Sequence, residues 1–243
     1  MEEATLTEGI EFLAEQGLNL FAILPCQTLP DDISQAMLAD GIPLSDYASL
    51  VLIGHGGRRF WQALTVFGMK TADPVDHFSQ AMTRRFIDQF LGGPPVLMLY
   101  PAGYTIPLQR LGTLAGWHQP SPLGLGMNPT YGLWFAYRAA FLTTLPLPSI
   151  QDPPAASICE ACQDKPCIGA CPAQAVQAID RFQVWDCIDF RLHEPSICRD
   201  RCLARLACPV AAEHRYEPAQ VRYHYTYSLT TLRQYYRPPR LRP

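Results

Sequence analysis

Eight of the nine cysteines in this chain of 243 residues fall within one stretch of fifty, at Cys159, Cys162, Cys167, Cys171, Cys187, Cys198, Cys202 and Cys208. Two of them precede proline, as Cys171-Pro172 and Cys208-Pro209. Thiolates in this number and density suit two four-iron, four-sulfur (4Fe-4S) clusters, because each cubane takes four sulfurs arriving from different directions. In two-cluster proteins three close cysteines serve one cluster, while a fourth, before proline, reaches across to the other. The run Cys159-x2-Cys162-x4-Cys167-x3-Cys171-Pro follows that logic with two extra residues in its middle gap. The second half is looser, with Cys187 upstream of Cys198-x3-Cys202-x5-Cys208-Pro. Crossed ligation assigns Cys159, Cys162, Cys167 and Cys208 to one cluster, and Cys171, Cys187, Cys198 and Cys202 to the other.

Two other uses of the sulfurs compete. Disulfides require an oxidising compartment, yet the opening Met-Glu-Glu-Ala-Thr is acidic, with neither a basic leader nor an apolar segment of signal-peptide type. A reducing, cytoplasmic location is therefore expected. Two zinc ions would also take eight thiolates, but the Cys-Pro steps and the dense first run favour clusters. Cys26, alone after an expected strand, reads as a small core residue.

The cysteine segment is too short to account for the whole chain, so two units are expected. Residues 1–150 would form one domain, 151–214 a small two-cluster domain, and 215–243 a basic arm. The most apolar stretch, Leu133 to Leu147, contains Arg138 and Pro146, so no membrane span is expected. A net charge of −3 conceals an asymmetry: residues 215–243 carry six arginines against Glu217, leaving +5 there and −8 elsewhere. Six tyrosines accompany those arginines. Such a mixture stacks on bases and neutralises phosphates, or wraps the protein's own acidic body. The positive footprint is too narrow for a nucleic-acid domain, and a nucleic-acid partner is not expected.

The N-terminal part alternates helices and strands. Residues 4–16 have helical spacing with Ile10, Leu13 and Ala14 on one side, and Leu18–Leu24 reads as a strand. A helix is expected from Thr28 to Asp40, a buried strand from Ser49 to Ile53 and a helix from Arg58 to Met69. The next begins after Asp73-Pro74, where aspartate can cap and proline fits the first turn, and carries Phe78, Met82, Phe86 and Phe90. Val96–Tyr100 is a strand, Leu108–Ala115 a short helix and Leu133–Leu145 a long aromatic strand. This pattern predicts an α+β or α/β domain around a central sheet. Ser149–Ala156 reads as a proline-rich linker.

Two loops in this part could hold a ligand. Gly54-His55-Gly56-Gly57-Arg58-Arg59 lies between a strand and a helix, where the N–H groups of Gly56 and Gly57 could receive an anion such as a flavin phosphate. The alternative is a plain turn. The second loop, Gly112 to Arg138, is rich in glycine and aromatics and suits a backbone passing beneath a large flat ligand; Gly124, Gly126, Gly132, Trp134 and Arg138 are its candidate contacts. The alternative is a bulged edge strand with its own aromatic packing.

The order of this glycine-rich stretch, the turn Asn128-Pro129-Thr130-Tyr131-Gly132-Leu133-Trp134, a strand and a Cys-Pro double cluster resembles the epoxyqueuosine reductases, cobalamin-dependent iron–sulfur enzymes with a nitroreductase-like corrinoid domain. That resemblance covers residues 95–210. Gly132-Leu133-Trp134-Phe135-Ala136-Tyr137-Arg138 is also similar to a strand of the cobalamin-processing decyanases. The resemblance implies a nitroreductase-like domain followed by a ferredoxin-like domain, with Arg138 near the upper face of a corrinoid. Two departures stand out. Where the reductases carry an Asp-x-x-Pro-x-x-Glu segment for proton delivery, this chain reads Tyr100-Pro101-Ala102-Gly103-Tyr104-Thr105-Ile106-Pro107, without a carboxylate. The helical-repeat domain with which that family grips transfer RNA is replaced by the arginine–tyrosine arm, so reduction of a tRNA base is not expected. Tyr104, His118 and His55 are the remaining candidates for a proton donor.

The activity so implied is a corrinoid-binding oxidoreductase in which two clusters deliver single electrons to a bound cobalamin, reducing it or removing its upper ligand. An acidic donor such as flavodoxin or ferredoxin would dock on the basic arm, and since related corrinoid domains often pair, the resemblance also allows a homodimer. Two alternatives stay open: an electron-transfer protein without substrate chemistry, and a flavin mononucleotide (FMN) reductase.

Overall fold

The chain is described here from a computed structural model covering residues 3–179 and 181–236. Among these residues the fold is α+β, with ten α-helices and a four-stranded sheet. Two compact units emerge. One holds the residues up to His118 together with Trp134–Ala156; the other holds Gln119–Leu133 and the chain from Ser157 onward.

The first unit is built on an antiparallel sheet in the order β1-β2-β4-β3, formed by β1 (Leu20–Pro25), β2 (Ser49–Gly56), β3 (Val96–Tyr100) and β4 (Phe135–Thr143). All eight residues of β2 are buried, as an unbroken apolar run such as Leu50–Ile53 requires. β2 pairs with β4 from Ser49 opposite Thr143 to Gly56 opposite Phe135, with a register shift at Ile53/Gly54. β2 thus continues through Gly54, His55 and Gly56, where the composition predicts a loop.

Helix α1 (Glu3–Glu15) buries Leu6 and Leu13, while Ile10 and Ala14 are partly covered. Between them a Cβ on Gly9 would lie 2.7 Å from the Phe86 ring, so glycine lets α1 close onto α4 (Pro74–Phe90). Pro74 opens α4 as expected, and Phe78, Met82 and Phe86 are buried, but the Asp73 side chain makes no capping hydrogen bond. Helices α2 (Asp31–Ala39), α3 (Arg59–Phe67) and α5 (Leu108–Leu114) complete this unit. Cys26 is buried, which pushes its thiol up to about 11.

The second unit consists of short helices α6 (Ile158–Ala161), α7 (Pro166–Gly169), α8 (Val184–Leu192) and α9 (Leu203–Ala207), followed by the long α10 (Pro218–Tyr235). Two features differ from the expected division. The stretch 119–133 packs in this unit rather than with the residues around it in sequence. The arm is helical as far as Tyr235: Pro218 opens the helix, and Val221 and Leu229 are buried along it. Arg237, Arg240 and Arg242 lie outside the described residues. Among the described residues no helix is long and apolar enough to cross a membrane.

Candidate functional site

The eight clustered cysteines stand in two sets of four, both in the second unit. Cys159 in α6, Cys162 just after it, Cys167 in α7 and Cys208 at the end of α9 line one small cavity. Local contacts set their positions. Ser157 caps α6 by accepting the N–H of Glu160 at 3.3 Å, and Lys165 Nζ donates to the carbonyl of Cys162 at 2.7 Å. Leu123, Met127 and Leu133, from the glycine-rich stretch, pack with Cys159, Cys167 and Cys208 in one apolar cluster. Burial pushes the Cys159 thiol up to about 11, assisted by Cys208, Cys167 and Cys162.

Cys171, Cys187, Cys198 and Cys202 line a second cavity of about 260 Å³. Cys187 lies in α8, while the sulfur of Cys202 caps α9 by accepting the N–H of Arg205 at 3.4 Å. Arg191 ties the set to α10. Its Nε donates to the Cys198 carbonyl at 3.2 Å, and one terminal nitrogen donates to the Tyr225 carbonyl and to Ser228 Oγ, each at 2.9 Å. Burial raises the Cys187 thiol to about 11; Cys202 adds to this and the Arg191 guanidinium opposes it. Each thiol that shifts among the eight feels sulfurs of its own four alone.

In the first unit Arg138 is 8% exposed and His55 fully buried. Arg138 Nε donates to His55 Nδ1 at 2.9 Å, so the histidine carries its proton on Nε2. His55 stacks on Phe60 with centroids 4.4 Å apart, and the guanidinium lies 5.0 Å from the same ring. His118 Nδ1 is 3.4 Å from the Tyr137 hydroxyl, and burial lowers the His118 pKa. Tyr104 is half-buried on the loop between β3 and α5.

No protein-family model and no curated protein matches the chain. Solved structures do. An epoxyqueuosine reductase from Bacillus subtilis matches at TM-score 0.57 and 15% identity, over 87% of this chain and 66% of its own. An epoxyqueuosine reductase with an epoxyqueuosine-modified tRNA stem loop gives 0.58 and 15%, over 89% and 68%. A reductive dehalogenase associated with B12-dependent dehalogenation gives 0.52 and 13%, over 90% and 34%. This chain has the epoxyqueuosine reductase fold. It is the family that its sequence resembles, and the chain spans about two thirds of the reductases' length and a third of the dehalogenase's.

Within this fold several candidate ligand contacts are otherwise engaged. The N–H of Gly56 donates to Asn19 Oδ1 at 2.8 Å and that of Gly57 to the Trp134 carbonyl at 2.8 Å, so the anion cradle expected of these two glycines does not form. The cause is the extension of β2 through Gly56, which commits the backbone to the sheet and its border. A Cβ on Gly124 would meet the Phe182 ring at 3.1 Å, and one on Gly132 the Val210 carbonyl at 2.9 Å. Both glycines thus approach other parts of the second unit closely, Gly124 while staying exposed and Gly132 buried. Trp134 is fully buried, and Gly126 is partly covered.

One acidic residue escaped the sequence reading. Burial raises the pKa of Asp76, near the start of α4, against the opposing charge of Arg138, and the same arginine acts on Tyr100 at the end of β3. The segment after Tyr100 lacks a carboxylate, but the fold brings one from another element to the neighbourhood of Arg138. Nothing in the residues around Asp76 marks it, since aspartate in a first helical turn is ordinary.

Proposed function

We propose that this chain is an iron–sulfur reductase in which Cys159, Cys162, Cys167 and Cys208 hold one 4Fe-4S cluster, and Cys171, Cys187, Cys198 and Cys202 the other. The single observation that carries the reading is the partition of eight thiols into two cavities, four to each. Among the described residues no group of three or more His, Cys, Asp or Glu side chains is placed to hold one metal ion. A cubane asks for something else, because each sulfur binds its own iron and the four stand apart around a volume. The donor set fits that demand in number and chemistry. The first cavity, about 20 Å³ as its side chains stand, would have to open by rotation of the thiols.

Such clusters, when held, supply one-electron transfer. The chain's own residues do the rest. Leu123, Met127, Leu133, Val176 and Ala204 exclude water from the first set, and Arg191 fixes the carbonyl of Cys198 beside the second. On this reading the second unit is a ferredoxin-like domain and the first a nitroreductase-like one. The electron acceptor we propose is a bound corrinoid, supported by the likeness of fold to epoxyqueuosine reductases and to the dehalogenase of B12-dependent chemistry. Of the residues expected to contact that ligand, Gly56, Gly57, Gly132, Trp134 and Arg138 are buried, which leaves Gly124 exposed and Gly126 partly so. The same observation favours a second reading, an electron carrier without a corrinoid.

One experiment separates these. Anaerobically reconstituted protein is mixed with cob(II)alamin, desalted, and its iron content, absorption and paramagnetic resonance recorded. About eight irons per chain with retained corrinoid and an altered cobalt signal is the expected result. Iron without corrinoid leaves the carrier; an eluate without iron ends the cluster reading.

A further inference from the structure

The second set of cysteines lies next to a surface groove that no step above uses. The loop between Cys198 and Cys202 is Arg199-Asp200-Arg201, and all three residues line an open groove of about 650 Å³, closed on its other side by Thr226, Leu229, Thr230 and Arg233 of α10. Its lining includes an exposed apolar residue: Ile197, adjacent in sequence to Cys198, is 60% exposed. Its rim is basic. Glu194 is shared by Arg199 at 2.6 Å and Arg233 at 3.3 Å, while Asp200 is shared by Arg201 at 2.7 Å and Arg222 at 3.5 Å. Arg199, Arg201, Arg233 and Asp200 line the groove, a surplus of two positive charges, and Arg222 and Glu194 join them through these ion pairs without changing it. Each shared carboxylate also holds two arginines in place without consuming all their donors.

We infer that this groove is the docking surface for an acidic electron-donor protein, which reduces the second cluster through the Cys198–Cys202 loop. The inference rests on the cluster reading above. An exposed aliphatic residue in one groove with half-neutralised arginines matches a transient redox interface, small in area and steered by charge. Placing it on the loop that carries two ligands keeps the path from partner to cluster short. In the step the donor is oxidised by one electron and the cluster reduced by one; no bond is made or broken and no proton moves. Among the described residues of the C-terminal segment, the docking role falls to Arg233, which lines the groove, with Arg222 paired to Asp200 beside it.

The test uses the full reconstituted chain and a reduced plant-type ferredoxin of acidic surface, with cluster bleaching followed by stopped flow. Photoreduced deazaflavin serves as a small reductant that needs no docking. The inference expects the ferredoxin rate to fall steeply with ionic strength, and the Arg199→Glu/Arg233→Glu variant to be roughly tenfold or more slower at low salt, with the deazaflavin rate unchanged. The milder Arg199→Gln/Arg233→Gln variant should fall between the two, which guards against misfolding of the charge-reversed form. A ferredoxin rate indifferent to salt and to both variants overturns the docking surface. So does a groove whose arginines are needed to bind a short single-stranded oligonucleotide but not to accept electrons. A chain that shows no iron chromophore fails the earlier reading instead, whereas clusters that fill and respond to deazaflavin but ignore the arginines fail this one alone.

Discussion

Cys167 and Cys171 are four residues apart, yet they line different cavities: Cys167 stands with Cys159, Cys162 and Cys208, and Cys171 with Cys187, Cys198 and Cys202. The turn of α7 between them sends one sulfur to each side, and Cys208 returns from the far end of the segment to complete the first set.

Cys208→Ala and Cys159→Ala should therefore disturb one and the same cluster signal, and Cys187→Ala the other. Each variant is expected to lose roughly half of the bound iron. Paramagnetic resonance of the reduced proteins, alongside iron analysis, checks this; Cys187 and Cys159 acting on a single signal would reject the ligand sets.

Arg191 makes three hydrogen bonds that join the Cys198 carbonyl to α10. Replacing it with methionine should cost about 2 kcal/mol of stability, at roughly 1 kcal/mol for each bond lost with some relief from water. The second cluster's signal should broaden or shift while the first stays unchanged. Urea denaturation together with paramagnetic resonance reads both effects.

Gly132 adopts a φ of +56°, and an added Cβ would meet the Val210 carbonyl at 2.9 Å. Val210 follows Cys208-Pro209 directly. Gly132→Ala should then destabilise the protein by about 1–2 kcal/mol and alter the first cluster, since the displaced backbone carries one of its ligands. Thermal denaturation gives the first quantity; an unchanged first-cluster spectrum would break the proposed link between them.

The pH dependence has a definite sign. In the iron-free chain burial raises Cys159 and Cys187 from an ordinary value near 9 to about 11. A thiol whose folded pKa exceeds its unfolded one stabilises the fold below the unfolded value, and that contribution is lost as pH climbs through the folded value. Stability of the iron-free chain should thus fall between pH 9 and 11. Buried Cys26, raised to about 11 as well, contributes equally with and without iron. The cluster-loaded chain should lose less, because its ligand thiols are already deprotonated. Urea midpoints of the two forms across this range make the comparison.

Much of the first unit was legible because its elements are long enough for periodicity to speak. The helix through Phe78, Met82 and Phe86 and the apolar strand through Leu50–Ile53 appear where the spacing placed them. The glycines beyond Ile53 mislead because a turn and a bulged strand end share the same composition, and only the hydrogen bonds that Gly56 and Gly57 donate to Asn19 and Trp134 distinguish them. In sequence, helix α10 reads as an arm because its apolar residues Val221, Tyr225, Leu229 and Leu232 are thinly spread among arginines and tyrosines.

By itself the sequence determined the inventory: eight clustered thiols, their proline-marked crossing points and a helix–strand alternation, all carried by local spacing. Tertiary structure alone decided what that inventory touches. It placed the stretch 119–133 with the cysteines, set Arg138 against His55 across 83 residues, brought Asp76 and Tyr100 under the influence of the same arginine, and arranged Arg199, Arg201 and Arg233 around a groove. The reason is physical. Backbone spacing reports which way a side chain leaves its own helix or strand, but burial, charge and hydrogen-bond partners come from elements distant in the chain.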